Sequence, residues 1–198
     1  MPGITTVIAL EFIAPCLPCV TMLPPSGAEW LHEIKHPGHR LIARRGDRGI
    51  RLFGERGEDW TASLPHLVHV VGLLPVKSCI IDGELVRCDA HGETRLDPVG
   101  DAAWELGGSF YAFDVIEVNG FDLRRDRLDE RKRVLAQILR KPLVGIHLNE
   151  QFERCGEPML RHIGQMGFEG VVSKRRGSRY LSERSPDWLF SKKLDERS

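Results

Sequence analysis

The sequence predicts an α+β fold in which antiparallel sheets are flanked by helices, and three observations carry that prediction. Short runs divide into two faces at every second residue, as in Leu31, Glu33 and Lys35 against His32, Ile34 and His36, which is the period of a strand. Two longer stretches, Leu64 to Leu74 and Leu128 to Leu139, repeat apolar residues at helical spacing instead. With 198 residues and 41% hydrophobic content, the chain can bury one good core, or a compact two-lobed unit, without disulfides.

Taken in order, residues 1 to 28 read as an extended lead-in that ends in the loop Pro24-Pro25-Ser26-Gly27, with Phe12 to Pro15 packed along the core. From Glu29 to Gly54 the alternation predicts three strands in an antiparallel meander, divided by His36-Pro37-Gly38 and by the hairpin turn Gly46 to Gly49. Thr61 offers an N-cap for a helix that Pro75 closes and that covers the meander. A second β region runs from Ser78 through Asp82-Gly83-Glu84 to Cys88, followed by a turn at Asp89 to Gly92 and a strand at Ser109 to Val118 with the turn Asn119-Gly120. Asp126 to Arg140 reads as a helix with its arginines on the surface. Ile146 to Phe152 reads as a strand, Glu157 to Met166 as a short helix ended by Gly167, and Phe168 to Lys174 as a final buried strand. The chain has no internal repeat and no low-complexity tract.

Twenty-eight basic and 28 acidic residues cancel, so net charge gives no nucleic-acid signal; basic residues nevertheless cluster at Arg40 to Arg56, Arg124 to Arg133 and Lys174 to Arg184. The apolar N-terminus has no basic start, carries Glu11 and is broken by Pro15 and Pro18, which argues against a signal peptide or membrane span. Cys16 and Cys19 have C-x-x-C spacing, but the other three cysteines are scattered singly and provide no second ligand pair. All five therefore read as reduced and structural, and the expected location is cytoplasmic.

Three carboxylates stand where packing alone would not put them. Glu84 follows an apolar strand and a glycine, Asp114 interrupts Phe110 to Ile116, and Glu169 precedes Gly170-Val171-Val172. A buried carboxylate has to be paired, hydrogen-bonded or metal-bound. With Lys35, Arg40, Arg56 and Lys192 they supply the parts of a phosphoryl or nucleotidyl transfer site: a nucleophile, cations for phosphate charge, and acids for Mg²⁺.

Read in order, Lys35-His-Pro-Gly38, Glu55-Arg56-Gly57, Asp82-Gly83-Glu84, Tyr111-Ala-Phe113-Asp114, Glu169-Gly-Val-Val172 and Trp188 to Lys192 resemble the motif series of the adenylation domain of ATP-dependent DNA ligases, the bacterial end-joining type above all. The resemblance covers the chain from Phe12 onward. It implies the nucleotidyltransferase fold over residues 29–198, with the nucleotide between two sheets and with ATP and Mg²⁺ as cofactors. Lys35 would attack the α-phosphorus of ATP to form lysyl-AMP, and the AMP would pass to a DNA 5′-phosphate at a nicked or broken duplex end during repair or recombination. Glu33 would accept a hydrogen bond from the adenine amino group and Phe113 would stack on the base. Arg40 and Arg56 would hold ribose and phosphate oxygens, Glu84 would contact ribose or metal, Glu169 would bind Mg²⁺, and Lys174 and Lys192 would neutralise phosphate charge.

The sequence departs from that series in three places. The motif K-x-D-G has Pro37 at its third position, and the last motif, two lysines separated by one residue, reads Phe190-Ser191-Lys192 without the first lysine. Ser198 follows Lys192 closely, so no C-terminal OB-fold domain is expected in this chain, and a partner protein is the expected source of an OB-fold or end-bridging function. An RNA ligase or capping-type nucleotidyltransferase shares the lysine chemistry. A degenerate nucleotide- or DNA-end-binding module is the alternative from another class.

Overall fold

The computed structural model describes residues 12–88, 91, 94–101, 104 and 108–194. Among the described residues, twelve strands and three α-helices follow one another. The strands are β1 (Leu17–Thr21), β2 (Trp30–Lys35), β3 (His39–Gly46), β4 (Gly49–Gly54), β5 (Cys79–Cys88), β6 (Thr94–Arg95), β7 (Ser109–Val118), β8 (Phe121–Asp122), β9 (Ile146–Leu148), β10 (Gln151–Phe152), β11 (Gly170–Arg175) and β12 (Arg184–Lys192). The helices are α1 (Pro65–Gly72), α2 (Leu128–Ile138) and α3 (Glu157–Gln165).

Two sheets share the strands. One has the order β1-β12-β11-β2-β10; the other has the path β4-β3-β5-β7-β8, with β6 on β5 and β9 on β7. Most pairs are antiparallel, but β1 with β12 and β9 with β7 are parallel. Alternation along the second sheet sorts its side chains between two apolar layers. Leu41, Ala43, Ile81 and Leu85 enter a core with Leu67 and Val71 of α1 and with Leu135 and Ile138 of α2. From the other face, Ile42, Ile80 and Phe113 meet Trp188 of the first sheet. On the far side α3 closes the first sheet through Leu160, Ile163 and Val171. The result is a stack of helices, sheet, sheet and helix.

Several local expectations change. The run Glu29 to Gly54 is not a three-stranded meander: β3 and β4 form a hairpin, but β2 pairs with β11 and β10 in the other sheet. Alternation specifies a strand's faces and not its partner, and the segment 36–38 crosses between sheets where a tight turn is expected. The strand expected from Ile146 to Phe152 splits for the same reason, β9 joining β7 and β10 joining β2. Phe168 to Lys174 is not the last strand, since β12 follows it. The lead-in supplies β1, a sheet strand, and Ile13 is buried as expected.

Thr61 does not cap α1. It stands in a separate 3-10 turn, where its hydroxyl accepts from the Leu52 amide at 3.0 Å and donates to Asp59, while Leu64 holds the N-cap position. The arginines of α2 are not all on its surface, because Arg131 is fully buried and Lys132 nearly so. Cys88 is exposed and so is not a packing residue, although all five cysteines are free thiols. Asn119 and Gly120, at φ 50° and 87°, make the expected turn between β7 and β8. The turn expected at 89–92 lies mostly outside the described residues. Among the described residues no helix is long and apolar enough to cross a membrane.

Candidate active site at the seam between the sheets

The crossing segments put the site at the seam. Lys35 is the last residue of β2, the point at which the chain leaves the first sheet for the second. The crossing needs glycine at position 38, because a Cβ there would stand 2.5 Å from the Leu85 carbonyl oxygen and 2.8 Å from Glu84 Cγ. Asn149, between β9 and β10, marks the second crossing and ties it to the first. Its Oδ1 is 2.8 Å from His36 Nε2, and its Nδ2 donates to the Ile34 carbonyl at 3.1 Å. Burial holds the His36 imidazole below its ordinary range against the opposing pull of Asn149, so the ring acts as a neutral donor and not as a second cation beside Lys35.

Between the sheets lies a cavity of about 210 Å³ lined by Glu33, Lys35, Arg40, Glu84, Phe113 and Lys174, together with Glu55, Asn149, Val172 and Trp188. Six of the residues singled out in the sequence therefore converge. The Lys35 ammonium is 2.9 Å from Glu84 Oε1 and 3.2 Å from Glu169 Oε2, and it donates to the His36 carbonyl at 3.0 Å. Burial pushes the Glu84 carboxyl up, against the opposing pull of Lys35. Phe113 owes its aim to a β-bulge: in the β5–β7 ladder Gly83 faces Ala112 and Asp82 faces Asp114, which leaves Phe113 as the extra residue.

Arg40 and Lys174 both lie over the Phe113 ring, at 4.6 and 4.0 Å from its centre. Arg40 also grips Asp82 through Nε at 2.6 Å and Nη2 at 2.7 Å, and Asp82 accepts from the Tyr180 hydroxyl at 2.7 Å. Lys174, fully enclosed, bonds Glu33 Oε2 at 2.9 Å, and burial brings its ammonium down to about 8. Burial alone would raise the Glu33 carboxyl, but Lys132 and Lys174 together hold it below its ordinary range.

Arg56 and Lys192 do not line the cavity. Arg56 is exposed in the loop after β4, next to Glu55, which does line it. Lys192 ends β12 opposite Gly170, which in turn faces Lys35 across β2, so it marks the rim two strands away. Asp114, suspected of a catalytic part, is taken up by Arg131 Nε and Nη2, each at 2.8 Å. Sequence reasoning missed Asp82, Lys132 and Asn149. For Lys132 a signal exists: it lies four residues after Leu128 and three before Leu135, on the apolar face of α2. Asn149 carries no such mark.

Among the described residues no group of three or more His, Cys, Asp or Glu side chains is gathered for a metal. Glu84 and Glu169 do fit Mg²⁺, since both reach one cation, the Lys35 ammonium, and that ion commonly takes one or two carboxylates and completes its shell with water and phosphate.

A lysine held between carboxylates at the seam of two sheets, beside a cavity lined by Arg40, Lys174 and Glu33, defines a nucleotidyltransferase-type domain. A family model described as ATP dependent DNA ligase domain matches residues 20–192. The chain belongs to the ATP-dependent DNA ligase domain family. It is 35% identical over 183 residues to the multifunctional non-homologous end joining protein LigD of Pseudomonas aeruginosa, covering 90% of this chain and 22% of that protein. The bifunctional LigD of Bacillus subtilis is 27% identical, over 90% of this chain and 34% of the relative. Among solved structures, a mycobacterial DNA ligase D complexed with ATP and MES has a TM-score of 0.78 at 25% identity, over 94% of this chain and 62% of that one. The ligase domain of Mycobacterium tuberculosis LigD has a TM-score of 0.76 at 25% identity, over 91% and 60%. The chain thus spans only part of the length of each.

Proposed function

We propose that this chain carries out the adenylyl-transfer half of DNA strand joining: Lys35 takes AMP from ATP, and the AMP passes to the 5′-phosphate of a nicked or broken duplex. The observation that supports this most is the placement of Lys35, which lines the cavity and lies between Glu84 and Glu169. An ammonium has no lone pair, so Lys35 must first lose a proton. Glu84 Oε1, 2.9 Å away and made more basic by burial, takes it. The freed amine then forms an N–P bond to the α-phosphorus as the bond to the β-phosphate oxygen breaks, and pyrophosphate leaves. Glu169 would hold Mg²⁺, with Glu84 joining it while ionised, and the ion when bound would offset phosphate charge.

The remaining residues bind and orient. Glu33 accepts from the adenine amino group, Phe113 and Val172 border the base, and Arg40 and Lys174 meet ribose and phosphate oxygens. Arg56 and Lys192 act from the rim on the leaving pyrophosphate. A partner protein that bridges DNA ends is the expected companion.

Incubation with ATP labelled at the α-phosphate should give protein-bound label that resists alkali and is released by acid, as a phosphoramidate is. GTP should label the protein far less. Equal labelling by the two, or preference for GTP, would favour the capping-type reading.

Pro37 favours a second reading, a binding module without ligation activity. It follows directly on the Lys35-His36 pair in the crossing segment and is only partly buried, so an aspartate fits there. If a carboxylate at this position orients the lysine, Pro37→Asp should raise the single-turnover labelling rate by ~10- to 100-fold, one charge-assisted hydrogen bond of about 1.5 to 3 kcal/mol. Should wild type and Pro37→Asp both stay unlabelled, the binding-module reading takes over.

A further inference from the structure

Glu33 is approached by cations from two sides, and only one of them is the cavity side. Its Oε2 accepts from Lys174 at 2.9 Å and lies 3.5 Å from Asn149 Nδ2, and both of these residues line the cavity. Its Oε1 is paired with Lys132, which comes from α2 and is absent from the cavity wall. Lys132 borders instead a separate hollow of about 220 Å³ with Leu31, Leu128 and Leu148. Both partners of this pair are nearly sealed from water, with side chains 6% and 2% exposed.

The two cations cannot have the same part when a base enters. A base amino group that donates to Glu33 from the cavity takes the place of the Lys174 ammonium at Oε2, and Lys174 is then free to meet phosphate charge. Lys132 is out of the ligand's way and stays on Oε1. A buried carboxylate left without any cation protonates or pays heavily for its charge. A protonated carboxyl can donate to a carbonyl as well as accept, so it no longer distinguishes an edge that bears an amino group from one that bears a carbonyl oxygen.

We propose that Lys132 is a specificity-determining positioning residue: from behind the sheet it keeps Glu33 an acceptor-only carboxylate while the base is bound, and so sets the preference for adenine over guanine nucleotides. The inference rests on the adenylyl-transfer reading and assigns part of its selectivity to a residue that never touches the ligand.

The test compares ATP and GTP labelling in wild type, Lys132→Met and Lys132→Arg, each checked by circular dichroism and thermal melting. In Lys132→Met the ratio of labelling efficiencies, ATP over GTP, should fall by about tenfold or more, because discrimination built on a donor–acceptor match is lost when the acceptor gains a proton. Lys132→Arg should restore most of it. A purely structural role would lower labelling by both nucleotides alike and leave the ratio unchanged, and that result overturns the inference while the adenylyl-transfer reading stands. If Lys132→Met does not fold, Lys132→Arg and Lys132→Gln give the same comparison at smaller cost in volume. Absence of any label from ATP in folded wild type would instead overturn the adenylyl-transfer reading, and this inference with it.

Discussion

Lys35→Ala is expected to bring transfer of the α-phosphate label from ATP to background. No other group can form the N–P bond from that position, and removal of the nucleophile in other covalent enzymes costs on the order of 10⁶-fold. Lys35→Arg should fail equally, since a guanidinium stays protonated and cannot attack. Both variants should still fold, because Lys35 lies at a strand end with its side chain 27% exposed. The rival nucleophile is Lys174, whose ammonium burial brings down to about 8. That readiness to deprotonate makes Lys174 a candidate. Geometry decides against it: Lys174 is enclosed, held by Glu33 and covered by the rings of Phe113 and Trp188, each 4.0 Å away. Label that survives in Lys35→Ala and disappears in Lys174→Ala would reverse the assignment.

The largest expected loss of stability belongs to Arg131→Ala. Arg131 and Asp114 are both fully buried, joined by two hydrogen bonds of 2.8 Å, and Arg131 also donates to the carbonyls of Asp126 at 2.7 Å and Ser178 at 3.0 Å. Truncating the arginine strands a carboxylate and two carbonyls in the interior, at a cost of about 3 to 5 kcal/mol. For a chain of this size that is a fall of roughly 10 °C or more in Tm. Replacing both partners with apolar residues should cost less than Arg131→Ala alone, since no charge is then stranded. Urea unfolding of the two single variants and the double variant measures this. If the double variant loses the sum of the two single losses, the pair is not coupled.

The chemistry was more legible in the sequence than the connectivity. Lys35, Glu84 and Glu169 announce themselves because a cation and two carboxylates at strand ends need a reason to be there, and the structure brings all three together. The separation of β2 from β3 does not announce itself, because Leu31 and Leu41 obey the same two-residue period in a hairpin as in two different sheets. Asn149 is invisible for a related reason. Its importance comes from two crossings, at 36–38 and at 149, that lie side by side only once both sheets exist. Arg131 and Lys132 fall between these cases: their spacing against Leu128 and Leu135 points inward, and the preference of charged residues for water argues the other way until their carboxylate partners are known.

The two sheets differ in how far apart their strands lie in the chain. The path from β3 to β8 uses residues 39–122, neighbours in sequence for the most part. The other sheet sets β1, residues 17–21, against β12, residues 184–192, with Lys35 two strands beyond β12. Contacts of such long range form late, and on the ribosome the N-terminal part of a chain emerges first. Lys35 is therefore synthesised well before Trp188 and the strand that anchors β1. A nascent chain holds Lys35 without the full wall of its cavity until β12, which carries Trp188, has been made, so the pocket can close on a ligand only after that strand emerges.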